Sequence, residues 1–422
     1  MRAFRAGVRA ESATKRLTMR HMSELRVLIS GAGIAGLAAA LACGRAGLGV
    51  RVIERAGAFG EVGAGIQLGP NVTRILHGWG LERPLAPLAA FPDRLQVRSA
   101  VSGRELGVLP LGDAMRRQYG APYVTVHRAD LHQLLFDAVQ GHGGAQLELA
   151  SEWLSFAQSS DGSVESSVAG GRQLRSAVLL GADGLWSPVR QQLLGDGDPL
   201  PTGHLAYRAL LRQSDLPAGL RTGQVTAWLG PQLHVVQYPV RGGDWLNLVV
   251  VVHGAPDWLR AANATPGQLA NWNQHADSAQ LRGALGPVAS ALQALIETVA
   301  AWRLWILCDR APMSGPGEHA RGRVALLGDA AHPMRPYLAQ GAGMAIEDAQ
   351  AVSLALADRT RPVDVALAAF AASRWLRNRR VQQRSRRNGQ VFHARGLLRW
   401  GRDASLAMLG TRLLDLPWLY GG

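Results

Sequence analysis

The sequence predicts an α/β fold: a parallel-sheet domain discontinuous in sequence, a mostly antiparallel sheet inserted into it, and a C-terminal helical tail. Three observations carry this expectation. A βαβ pattern opens at Leu25, the apolar period drops to two between about Leu205 and Val252, and a strand–loop–helix pattern resumes at Val324. A chain of 422 residues suits two intimately packed domains or one large α/β unit. With 47% hydrophobic and 18% charged residues, bulk disorder is excluded. The 50 glycines follow no strict period, which excludes a collagen-like repeat and points to many tight turns.

Residues 1–23 carry six Lys/Arg against Glu11 alone and no apolar run long enough for a secretory signal. They are read as a disordered leader, with Met22 as the simplest true start. The first strand is Val27-Leu28-Ile29, followed by a glycine turn, an alanine-rich helix to about Ala46, and a second strand from Val50 that ends at Glu54. Between strand and helix lies Gly31-Ala32-Gly33-Ile34-Ala35-Gly36, a dinucleotide fingerprint in its confirming context. Gly31 permits the tight turn, Gly33 lets the backbone reach a pyrophosphate at the helix N-terminus, and Gly36 allows helix to pack on strand. Glu54, with Arg55 beside it, is placed to accept hydrogen bonds from a ribose. An adenine dinucleotide is therefore expected here.

A helical stretch runs from His127 and Arg128 through Leu135, and Ala177 to Leu180 reads as a buried strand entering Gly181. The segments His234–Tyr238 and Leu246–Val249 read as antiparallel strands of the inserted sheet. The parallel domain resumes with strand Val324–Leu327, a loop from Gly328 to Gly343, and a helix from about Met344 to Ala357. From Arg374 the tail is helical and arginine-dense, then amphipathic through Leu406, Met408, Leu409, Leu413 and Leu414. The expected cofactor domain is thus 24–90, 120–200 and 306–373, the substrate domain 91–119 and 201–305, and the tail 374–422.

No segment reaches the roughly 18 uninterrupted apolar residues of a membrane span. Cys43 and Cys308 lie in apolar stretches without ligand spacing, so reduced cytoplasmic thiols are expected, and no metal site. The net charge of +14 would ordinarily suggest nucleic acid or an anionic membrane. Its location argues otherwise. The leader holds six basic residues, and Arg374 to Arg402 holds ten arginines with no acid, leaving the rest near neutral. Those tail arginines are expected to be solvated or to face a homodimer partner.

Two further stretches choose among dinucleotides. One runs Gly181-Ala182-Asp183-Gly184-Leu185-Trp186-Ser187-Pro188-Val189-Arg190; the other is Gly328-Asp329-Ala330-Ala331-His332-Pro333, continuing through Gln340-Gly341-Ala342-Gly343-Met344 to Glu347-Asp348. With the fingerprint, these make the sequence, from Leu25 onward, resemble the single-component FAD-dependent aromatic hydroxylases, the group of salicylate hydroxylase and 3-hydroxybenzoate 6-hydroxylase. The resemblance implies a Rossmann-like FAD domain, NADH or NADPH as a transient reductant, molecular oxygen, and a small aromatic substrate. It is consistent with the lack of a second glycine fingerprint, which a two-domain flavin reductase would ordinarily carry.

The same resemblance implies roles for individual residues. Asp329 would contact the ribityl and pyrophosphate region, and Gly341, Ala342, Gly343 and Met344 would bring helix N–H groups to the flavin. Arg128 and Gln67 would line the flavin, and Asp183 would serve both FAD and the nicotinamide donor. A flavin hydroperoxide decays if water enters, so an apolar, closed site is implied, with Pro333 as part of the cover. A phenol attacks best as phenolate. His204 resembles the family's base and Tyr207 its substrate-contacting tyrosine; His234 and Tyr238, which share a strand face, are reserve candidates. His332 is expected to order its loop. Arg335 is placed to pair with a substrate carboxylate or to turn to solvent or phosphate. Two alternatives stay open: a hydroxylase of a larger polycyclic or quinone-precursor substrate, and a non-catalytic flavin module whose basic tail holds nucleic acid or membrane.

Overall fold

The computed structural model describes residues 26–60, 64–254, 267, 269, 274–276 and 278–421. The leader at 1–23 lies outside them.

Strands Arg26–Ser30, Gly49–Ile53, Ala145–Glu148, Val178–Gly181 and Val324–Leu326 pair in parallel, and the short strand Ala320–Arg321 adds an antiparallel edge. Val27, Leu28 and Ile29 are all buried, because a parallel sheet is covered on both faces. One face receives the helix Ile34–Arg45, whose small alanines let it lie close, and behind it the helices Gly341–Ala357 and Val363–Phe392. The other face, with Leu28, Leu179 and Leu326, packs on Trp153, Val164 and Val168 of a three-stranded antiparallel sheet.

Among the described residues the inserted sheet has eight strands, centred on Leu200–Arg212, Leu233–Val240 and Trp245–His253. Strands Arg94–Ser99 and Glu105–Pro110 join it through a parallel pairing with Val225–Gly230. Its alternation sorts side chains onto two faces. Leu205, Tyr207, Val250, Val252 and Leu304 form a core with helices Ser278–Leu285 and Ser290–Glu297. The opposite parity, with Ala206 opposite Val251, Arg208 opposite Val249 and His234 opposite Val251, turns toward the parallel-sheet domain.

The helix expected from Met344 begins at Gly341, and the tail helix begins well before Arg374, at Val363. The expectation of solvated or partner-facing tail arginines is corrected at four positions, one of them Arg386, which pairs with Asp309. Arg374 and Arg402 are buried, Arg374 pairs with Glu347 and Asp348, and Arg377 pairs with Glu347. The helix Gly396–Leu414 follows, leaving Leu397, Leu398 and Trp400 exposed, and a short helix Pro417–Tyr420 comes after it. The chain then returns so that Tyr420 packs on Tyr119 and Tyr123. No helix among the described residues is long and apolar enough to cross a membrane.

Candidate active site

The glycine turn is built by exclusion. Gly31 has φ +99°, and a Cβ there would lie 2.6 Å from the Ala182 carbonyl oxygen; a Cβ on Gly36 would lie 1.8 Å from the Gly31 oxygen. Only glycine satisfies both positions. At Gly33 a Cβ would meet nothing within 4 Å, so open space lies before the helix N-terminus, where a pyrophosphate would sit. Glu54 pins the turn: its carboxylate accepts from the Ala32 N–H at 2.8 Å and the Ala56 N–H at 2.9 Å. A ribose hydroxyl would add to these bonds. Arg55 is exposed just beyond the second strand.

A cavity of about 280 Å³ begins at this turn and runs to the inserted sheet. Its cofactor-domain wall includes Gly33, Gln67, Arg128, Asp329, Gly341 and Ala342; its sheet wall is Ala206, Arg208, His234, Val236, Tyr238 and Val251. Burial raises the Asp329 carboxyl and lowers the Arg128 guanidinium, and each charge partly restores the other. Gln67 accepts from the Tyr123 hydroxyl at 2.6 Å. Asp183 lies beside the cavity residues Ala182 and Gly184; burial pushes it up to about 6 despite its bonds to Ser187 and the Val189 N–H. Its Oδ1 is buried without a hydrogen-bond partner among the described residues. Arg190 joins the two separated motifs by donating to the carbonyls of Ala330 and Ala331 at 3.0 and 2.6 Å. The open glycine turn, the unsatisfied Asp183 oxygen and the helix N-terminus at Gly341 fit FAD.

The family model described as an FAD binding domain matches residues 24–197 and 317–385. The 3-hydroxybenzoate 6-hydroxylase of Polaromonas naphthalenivorans (strain CJ2) is 36% identical, covering 94% of this chain and 96% of its own. The chain belongs to the FAD-dependent aromatic hydroxylases. A 3-amino-4-hydroxybenzoate 2-monooxygenase of Streptomyces platensis is also 36% identical, over 96% of this chain and 98% of that relative. A salicylate hydroxylase substrate complex shares the fold, with a TM-score of 0.78 at 24% identity, covering 95% of this chain and 96% of that one.

In this flavoprotein hydroxylase, Gly33, Gln67, Arg128, Asp329, Gly341, Ala342, His234, Tyr238 and Arg335 converge on one cavity. Other expected residues do not reach it. Tyr207 is carried by strand parity into the opposite core, edge-on to Trp302. His204 is on the correct face but stands behind the cavity, its Nδ1 bonded to the Tyr337 hydroxyl. Met344 points into the core, and a Cβ on Gly343 would crowd Val72 and Gln340. Pro333 is buried with its carbonyl accepting from Gln382 at 3.0 Å, so Pro336, three residues on, supplies the cavity wall. Arg335 lines the cavity, but its Nε donates to Asp309 at 2.6 Å. His332 bonds Asp348 at 2.5 Å, fully buried, which fits the ordering of its loop.

Sequence reasoning missed Arg208 as a site residue. Its guanidinium is lowered to about 10 by burial and by Arg128 and Arg303, and it lies 5.5 Å from the Trp305 ring centre. An arginine inside an apolar strand, of the same parity as His204, was the available signal.

Proposed function

We propose that this chain hydroxylates a small phenolic aromatic acid, of the salicylate or hydroxybenzoate kind, using NADH or NADPH and molecular oxygen. One observation carries the reading: Arg128, Arg208 and Arg335 line a single cavity whose remaining sheet wall is largely apolar, facing the Gly341 helix N-terminus. Such a site favours a flat anion. FAD, when bound, supplies the oxygen activation; Gly31, Gly33, Asp183, Asp329, Gly341 and Ala342 would hold it.

Within that cavity Arg208 binds the substrate carboxylate. Arg335, which also lines the cavity, is paired with Asp309. Tyr238 and Gln67 orient the ring hydroxyl, while Ala206, Val236 and Val251 exclude water from the reacting face. His204 serves as a positioning residue through Tyr337, whose side chain lines an adjoining cavity. The hydroxybenzoate-hydroxylating relatives support this substrate class. The Cys43 and Cys308 thiols are buried, and burial pushes them up to about 12 and about 11, which leaves them unreactive.

The adjoining cavity of about 720 Å³ supports a second reading, a longer or polycyclic substrate. One measurement separates the two. Purified FAD-loaded protein is given NADH or NADPH with a panel of hydroxybenzoates and of larger phenols. A small aromatic acid is expected to stimulate oxygen-dependent oxidation and to appear as hydroxylated product. Stimulation by larger phenols alone would replace the first reading with the second, and stimulation by neither would overturn both.

A further inference from the structure

We infer that His204, His253 and His393 form a binding site for a divalent transition-metal ion of the zinc class, where the inserted sheet meets the end of the tail helix. One nitrogen from each ring lies within 4.8 Å of the other two. The ring centres are 4.2 Å apart for His204 and His253, 5.0 Å for His204 and His393, and 4.9 Å for His253 and His393. Three distant parts of the chain meet here. His204 and His253 are cross-strand partners, and His393 caps the helix Val363–Phe392.

Each of the two buried rings keeps one nitrogen outside its hydrogen bond and so has one left for ligation. His204 uses Nδ1 on the Tyr337 hydroxyl, leaving Nε2; His393 uses Nε2 on His234 Nδ1 at 2.7 Å, leaving Nδ1. Metal-bound imidazoles characteristically have such a partner on the second nitrogen, which fixes tautomer and ring direction. His393 is 5% exposed, and its Nδ1 is buried with no hydrogen-bond partner among the described residues. A buried polar atom left unsatisfied is costly, and a metal ion would remove that cost.

The third ligand, His253, is exposed, which gives an ion its way in and leaves a coordination position for water. Zinc–nitrogen bonds of about 2.0–2.1 Å require the nitrogens to draw together, and the exposed ring has the freedom to rotate. A ligand set of imidazoles alone selects zinc, nickel, copper or cobalt over magnesium or calcium. Arg335 and Arg395 act on His253 as nearby positive charges and oppose a cation, so the expected affinity is weaker than that of a thiolate zinc site. Bound metal would tie the tail helix to the sheet beside Tyr337 and His234.

The test uses tag-free, FAD-loaded full-length protein stripped with chelator and titrated with Co²⁺. One equivalent should bind with the visible band of a low-coordinate cobalt site, to the red of flavin absorption, and Zn²⁺ should displace it and raise Tm. His253→Ala, at an exposed position that should not disturb folding, and His393→Gln should each weaken binding about tenfold or more. Absence of the band, or Co²⁺ binding by His253→Ala as tight as that of the unsubstituted protein, would overturn the site.

Discussion

At the residue scale, Arg208 and Asp183 make opposite uses of burial. Arg208 remains charged at neutral pH even though burial and two neighbouring arginines lower it to about 10. A charged hydrogen bond to a carboxylate is worth about 1.5–3 kcal/mol, so Arg208→Gln should raise KM for a carboxylated substrate by about 10–100-fold. FAD occupancy should be unchanged, and phenols lacking the carboxylate should be unaffected. Equal losses for both substrate types would remove Arg208 as the anion partner. Asp183 is displaced the other way, up to about 6, by burial. A carboxyl whose folded value lies above its unfolded one is disfavoured when ionised. The resulting loss of stability is absent below about pH 4, develops between about pH 4 and 6, and persists above; a two-unit displacement corresponds to about 3 kcal/mol. In FAD-free protein, Asp183→Asn should therefore gain stability relative to wild type as pH rises through that window. Denaturant unfolding across about pH 4 to 8 measures it, and a pH-independent difference would disprove the account.

At the element scale, the helix that presents Gly341 is held from behind by the tail. Arg374 donates to Asp348 at 2.9 Å and to Glu347 at 2.7 Å, and Arg377 donates to Glu347 at 2.6 Å. Asp348 also accepts from the Gly328 N–H at 3.2 Å and bonds His332, so one buried carboxylate joins the Asp329 loop, its helix and the tail. His332 and Arg374 hold that carboxyl far below the usual range although burial acts to raise it. Removing one partner of a buried ion pair leaves the other charge uncompensated, typically at about 3–5 kcal/mol. Arg374→Ala should lower Tm sharply and speed FAD loss, whereas Arg412→Ala, at an exposed position, should change neither. Thermal unfolding and FAD fluorescence read both effects; a mild loss in Arg374→Ala would mean that the tail only covers the site.

At the scale of the whole molecule, the sequence disclosed what depends on neighbours in the chain. Gly31 to Gly36, Glu54, Asp183 and Asp329 sit in short motifs whose geometry is local; the βαβ opening announced the parallel sheet and the change of period to two announced the inserted one. What pairing across the fold decides stayed hidden. Tyr207 and Arg208 are adjacent, and nothing on their own strand says which face meets the helices at 278–297 and which meets the cofactor domain. The tail arginines look solvated until Glu347, Asp348 and Asp309 are brought against them. The same long-range closure bears on function at the C-terminus. Tyr420 lines the larger cavity, Arg74 donates to its carbonyl at 3.1 Å, and Arg377 donates to the carbonyls of Trp418 and Leu419 at 2.9 and 2.8 Å. The last residues therefore act as a clasp on an apolar chamber that adjoins the flavin cavity. Ending the chain after Asp415 would widen that chamber's opening to water beside the flavin cavity, which diverts activated oxygen to hydrogen peroxide. Substrate-stimulated NAD(P)H oxidation should persist while hydroxylated product per NAD(P)H falls and peroxide rises. Unchanged coupling in the shortened protein would show that the reacting face is sealed by the sheet and the 336–345 segment alone.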